Sequence, residues 1–167
     1  MRKVEVRSYN KKWVSLFEEE ANKLHGIFGS EIIHIHHIGS TSVNGLKAKP
    51  IIDIMTVVKN IIRVDEFNSE MVAIGYEPKG ENGISGRRYF QKGGDNRTHH
   101  IHIYELENPQ IERHLAFRDY LREHPDAVKK YGSLKEELSQ RFPYDIKSYI
   151  NGKEQLVLEI GCLEQVK

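Results

Sequence analysis

Two hydrophobic periods alternate along the chain and divide it into elements. Behind Asn10, a residue suited to a helix cap, Trp13, Leu16, Phe17, Ala21 and Leu24 recur at helical spacing, so a helix is predicted over 10–28 with an apolar stripe against a sheet. The run Glu18-Glu19-Glu20 reads as its solvated face, because consecutive carboxylates on a helix do not converge. Isoleucine and histidine then interleave over 33–38 as a strand, and 51–58, β-branched and introduced by Pro50, form a second. Val64, Phe67, Met71 and Ile74 return to the helical period and stop at Gly75. Two more strands, 87–91 and 98–106, flank the connection Lys92-Gly93-Gly94-Asp95-Asn96, which suits a hairpin. The last third reads as helices over 109–123, from Asp126 to Arg141, and onward from Asp145. Gly152 and the β-rich run 156–160 leave the end of the final helix open.

Candidate chemistry collects where the first strand breaks. At Gly39-Ser40 the backbone can approach a ligand closely, and Ser40, Thr41 and Ser42 offer hydroxyl and N–H donors to a triphosphate, with Lys47 or Lys49 as point charges. The competing reading of this stretch is a surface connection turning at Asn44-Gly45. It does not match the P-loop pattern, which excludes a Walker-type ATPase. Alternation in the second strand puts Asp53, Met55 and Val57 on one face and Ile52, Ile54 and Thr56 on the other. If helices cover the isoleucines, Asp53 projects onto the more open face, as a metal ligand or as a structural carboxylate bonded to the Gly39 loop. The same parity in Arg97-Thr98-His99-His100-Ile101-His102-Ile103-Tyr104-Glu105 brings His100 and His102 to the Asp53 side. Imidazoles two apart on a strand suit zinc or manganese better than magnesium. Contact with phosphate, or plain packing, is the alternative. Arg87, Arg88 and Arg97 around the hairpin are further phosphate-clamp candidates, and His37 is read as the site neighbour among His34, His36 and His37.

The segment 37–54, HIGSTSVNGLKAKPIIDI, resembles the signature of the GrpB family, whose fold belongs to the nucleotidyltransferase superfamily. That superfamily carries an apolar residue, Gly, then Gly or Ser, and later Asp-x-Asp or Asp-x-Glu on a strand. Here Ile38-Gly39-Ser40 and Asp53-Ile54-Met55 stand in those places, with the second carboxylate missing. The resemblance continues through 97–105 and through 114–126, HLAFRDYLREHPD, and Arg118, Asp119, Arg122, Lys135, Tyr149 and Lys153 match positions of the family pattern. It implies one α+β domain over 1–167, with a mixed sheet of four or five strands, helices on one face and a helical C-terminal extension. It also implies a nucleoside triphosphate or another phosphate-bearing small molecule bound at Gly39, Ser40, Thr41, Ser42 and Lys49. Arg118 and Arg122, four apart on one helix face, either reach phosphate together or join an ion-pair network with Asp119. Asp53, His100 and His102 are the candidate catalytic and metal-ligating residues for magnesium, manganese or zinc.

Composition narrows the partners. The 167 residues, 38% apolar, are enough for one core, and 25 basic against 24 acidic residues argue against a dedicated nucleic-acid surface. No apolar run approaches the roughly 20 residues of a membrane helix, and the first residues lack the apolar core of a signal peptide, so a cytoplasmic protein is expected. A homo-oligomer is compatible with such a chain. Cys162 is the only cysteine and is read as packing. The leading functional expectation is nucleotidyl transfer to an acceptor. With Met55 in place of an acid, a binding module without transfer chemistry, or a metal-dependent phosphoesterase using the histidines, are the alternatives unless Glu105 supplies the missing carboxylate.

Overall fold

Isoleucines at alternate strand positions need a cover, and helices supply it. The computed structural model describes residues 3–166, with side chains described through residue 159. In chain order it contains α1 (Lys12–Phe28), β1 (Ile32–Ile38), β2 (Ile52–Val58), a 3-10 segment (Ile61–Phe67), α2 (Asn68–Ala73), β3 (Tyr76–Pro78), β4 (Arg87–Lys92), β5 (His99–Glu105), α3 (Pro109–Glu123), α4 (Pro125–Arg141) and α5 (Ile146–Val166). The strands form one sheet in the order β1-β2-β5-β4-β3. Its β2–β5 pair is parallel and the other three pairs are antiparallel. This is the mixed α+β architecture expected from the pattern, and β3, three residues ending in Pro78 at the sheet edge, is an added strand.

One face carries the main core. Ile52, Ile54, Val58, Ile101, Ile103 and Phe90 pack against Trp13, Leu24 and Phe28 of α1 and Met71 of α2, each fully buried side chain contributing about 1.5–3 kcal/mol by leaving water. On the opposite face Ile111 and Leu115 of α3, with Ile84, close over Ile38, Met55 and Tyr104. The three C-terminal helices form a further cluster in which Tyr120, Leu121, Tyr131 and Leu156 enclose Val43 and Leu46 of the β1–β2 connection. That contact presses the helical extension onto the Gly-Ser turn.

Two readings of the pattern change. Asn10 does cap α1, its Oδ1 accepting the Lys12 N–H at 2.9 Å. Glu18 and Glu19 are exposed, but Glu20 is buried and accepts hydrogen bonds from Tyr76 Oη at 2.8 Å and Lys92 Nζ at 2.5 Å. Burial raises the Glu20 carboxyl, yet these two donors outweigh it and the net shift is downward. The glutamate thus ties α1 to β3 and β4. The final helix runs straight through Gly152 and the run 156–160, while the Cys162 side chain lies outside those described.

Gly152 is in the helix because α4 approaches too closely for a side chain. A Cβ there would stand 2.6 Å from Leu138 Cδ2 and 3.0 Å from its Cδ1. Gly152→Ala should therefore destabilise the protein by about 1 kcal/mol, overpacking at Leu138 outweighing the helix propensity gained. Denaturant unfolding is the measurement, and a variant more stable than the wild type would contradict the packing account.

Candidate functional site

The parallel pairing of β2 with β5 runs without a bulge and sets Asp53 beside His100 and Met55 beside His102. His100 Nδ1 stands 3.4 Å and His102 Nε2 3.6 Å from the same oxygen, Asp53 Oδ1. Burial alone raises the Asp53 carboxyl; the two imidazoles reverse that and hold it below the ordinary carboxylate range. Oδ2 turns toward Gly39, whose φ of 70° lies in the left-handed region and where a Cβ would sit 2.6 Å from that oxygen. Glycine is required here for both reasons, backbone conformation and contact. The expected convergence of Asp53, His100 and His102 is thus present. Among the described residues, however, no group of three or more His, Cys, Asp and Glu side chains is disposed to hold a metal ion.

β4 and α3 wall the site. Antiparallel register places Arg87, Tyr89 and Gln91 opposite Tyr104, His102 and His100. Arg87 Nη1 donates to His102 Nδ1 at 3.2 Å, and Arg87 Nε and Nη2 donate to the carbonyls of Glu81 and Asn82 at 3.1 and 2.8 Å. From α3, His114 lies 5.5 Å from the His102 ring and 3.4 Å from Tyr104 Oη. Burial, and then His102, push its imidazole down to about 4. Met55 is fully buried between Ile38 and Tyr104. Glu105 pairs with Val58 at the far end of the strands and accepts from the Ile61 N–H, so it does not replace the missing carboxylate.

Beyond Gly39 the predicted phosphate donors separate. Thr41 is buried with its hydroxyl 2.8 Å from His37 Nε2, and Ser42 Oγ donates to the Gly39 carbonyl at 2.5 Å. Arg118 Nη1 donates to the His37 carbonyl at 3.1 Å, with Nε on Asp119. Arg122 holds the Ser42 carbonyl with Nε at 3.1 Å and Nη2 at 2.9 Å. These four residues hold the turn in shape. His37 also belongs to the opposite face, stacked at 4.8 Å on Phe17 of α1, because it shares parity with Ile35. Arg88 pairs with Asp65, and Arg97 donates to the Gly94 carbonyl.

Ser40 turns the other way and finds lysines. Lys135 Nζ donates to Ser40 Oγ and, at 3.3 Å, to the Lys47 carbonyl. Its ammonium lies 4.4 Å from the centroid of Tyr131, one helical turn before it. Lys153 repeats this in α5, 5.0 Å over Tyr149, and Lys49 lies over the same ring at 5.0 Å. Burial first, then Lys153 and Lys49, push Lys135 well down; burial and Lys49 bring Lys153 down to about 8, and Asp53 pulls both back up. Tyr149 Oη is buried without a hydrogen-bond partner among the described residues. Sequence reading assigned only Lys49 a role here. The signal that finds the others is a lysine on the apolar stripe, one turn after a tyrosine, in both helices.

His37 and His114 both sit near 4 in the folded protein, below the reference imidazole value of about 6.5. The unfolded chain therefore binds more protons between those values, and stability falls as pH drops from about 6.5 toward 4. Denaturant midpoints at about pH 7.5 and about pH 5 should differ in that direction, and His37→Gln should shrink the difference. An undiminished difference would remove His37 as a source.

Comparison with known proteins identifies relatives of the whole domain. The family model described as GrpB protein matches residues 3–161. The UPF0157 protein YqkA of Bacillus subtilis is 56% identical over 156 residues, covering 93% of this chain; the chain spans 46% of that relative's length. The crystal structure of the conserved protein GrpB from Enterococcus faecalis superposes with a TM-score of 0.93 at 47% identity, covering 96% of both chains. Cid1, whose structure is described in connection with RNA terminal uridylyl transferase activity, shares the fold at a TM-score of 0.52 and 12% identity, over 78% of this chain and 40% of that one. The sheet, the Gly-Ser turn and the family match lead to one assignment: the chain belongs to the GrpB family.

Proposed function

We propose that the protein binds a nucleoside triphosphate, or another phosphate-bearing small molecule, with its phosphates against Ser40, Lys49, Lys135 and Lys153 and a divalent cation on Asp53. The observation that carries this reading is the lysine cluster. Burying like charges together costs stability, and an anion with several oxygens is what offsets such a cluster. The Tyr149 ring lies under Lys49 and Lys153, and its buried hydroxyl has no hydrogen-bond partner among the described residues. Asp53 raises two of these lysines electrostatically, so a cation held there would stand near phosphates bound to them. A cation there would bridge phosphate oxygens and stabilise charge during nucleotidyl transfer to an acceptor hydroxyl.

A second reading rests on Met55. A thioether is a poor ligand for a hard cation, and this one is packed away from any ligand, which favours binding without transfer. Release of pyrophosphate from a nucleoside triphosphate with magnesium or manganese separates the two.

Binding itself is tested by thermal unfolding with a nucleotide panel and magnesium. A ligand at 100 times its dissociation constant adds about 2.7 kcal/mol, so the wild type should show a clear rise with its nucleotide. Lys135→Met keeps the side-chain volume and removes a buried charge; it should unfold at the same or a higher temperature without ligand and lose most of the rise with it. A wild type that responds to no nucleotide overturns the nucleotide reading. An equal rise in the variant removes Lys135 from the seat.

A further inference from the structure

We propose that Arg87 prevents His102 from becoming a metal ligand and so takes one imidazole out of the donor set around Asp53. The spacing of the site invites the opposite conclusion. Two ligands of one tetrahedral ion, each about 2.05 Å from it, lie about 3.3 Å apart. The separations of 3.4 and 3.6 Å from Asp53 Oδ1 to His100 and His102 are near that value and wide for hydrogen bonds. What decides is the far side of the His102 ring.

Arginine has donors only. Because Arg87 Nη1 points at His102 Nδ1 at 3.2 Å, Nδ1 must be the nitrogen with the lone pair. A neutral imidazole carries one proton, so it sits on Nε2, the atom that faces Asp53. Coordination through Nε2 needs the reverse arrangement, with a lone pair at Nε2 and a proton at Nδ1. Metal-bound histidines give that second N–H to an acceptor. Here it would meet a guanidinium N–H.

Arg87 is not free to leave. It is buried, its other donors hold the carbonyls of Glu81 and Asn82, and its guanidinium lies 4.9 Å over the Tyr89 ring. Asn82 itself has a φ of 47°, so the loop before β4 presents its carbonyls from a conformation most residues avoid. The loop therefore fixes the guanidinium, the guanidinium fixes the tautomer of His102, and the tautomer takes His102 out of the set of groups that could coordinate beside Asp53. Oδ2, on the Gly39 side, is the oxygen turned toward the phosphate seat. Arg87 is a positioning residue that acts through His102, and none of this depends on which phosphate compound binds.

The experiment is long-range proton–nitrogen correlation NMR on the full chain with labelled histidine, with and without zinc chloride and with no nucleotide present. His102 in the wild type should show a protonated Nε2 and an unprotonated Nδ1, and zinc should leave that pattern unchanged. Arg87→Lys, which keeps a donor, should preserve it. Arg87→Met should lose it and bind zinc about tenfold to a hundredfold more tightly, as a freed imidazole joins Asp53. A wild-type His102 protonated at Nδ1, or zinc replacing the Nε2 proton, overturns the proposal. So does an Arg87→Met variant with unchanged tautomer and zinc affinity. If that variant does not fold, the wild-type spectra with and without zinc decide alone.

Discussion

A carboxylate in the second strand of a five-stranded sheet costs free energy unless donors surround it, and the neighbourhood of Asp53 is built to that constraint. β5 enters parallel to β2 and in a register that delivers two imidazoles to one oxygen of the acid. The chain before β2 has to pass so near the carboxylate that Gly39 has no room for a Cβ. Arg118 and Arg122 then hold the carbonyls on either side of that glycine, which makes α3 part of the turn's support. The acid, the turn and the helical extension are therefore one connected arrangement, in which moving any member exposes a charge or breaks a bonded carbonyl.

The charge around this arrangement is lopsided in a way that total composition hides. The chain is nearly neutral, but Lys135 is buried at the Gly-Ser turn with Lys49 and Lys153 nearby, and the place where a second acid would stand is filled by Met55. Elsewhere Glu20 has Lys92 and Tyr76, and Arg88 has Asp65.

The site face was legible because strand parity is rigid: once the isoleucines of β2 and β5 are assigned to the core, Asp53, His100 and His102 must point the other way. The same parity holds the correct answer for His37, which shares a face with Ile35. Proximity to Gly39 found it as a neighbour of the turn, bonded to Thr41, and parity adds that it sits on the core side. Glu20 falls on the stripe of Trp13, Phe17 and Leu24, and Lys135 falls on that of Tyr131 and Leu138, so both are buried by helical phase although neither is apolar. What no local pattern contains is the partner on the far element. That Arg122 meets Ser42, or that Arg87 meets His102, depends on α3 crossing the turn and on the register of β4, both settled only by tertiary packing.

The lysine cluster draws on three distant parts of the chain, the β1–β2 connection, α4 and α5, and its last member is Lys153. Synthesis runs from the N-terminus, so the strands that carry Asp53, His100 and His102 leave the ribosome before α5 does. α5 then brings Lys153 toward Lys135 and Lys49, a step that an anion in the proposed seat would ease. On that reading the seat is complete only once α5 has docked, and its occupancy would report the docking of that helix.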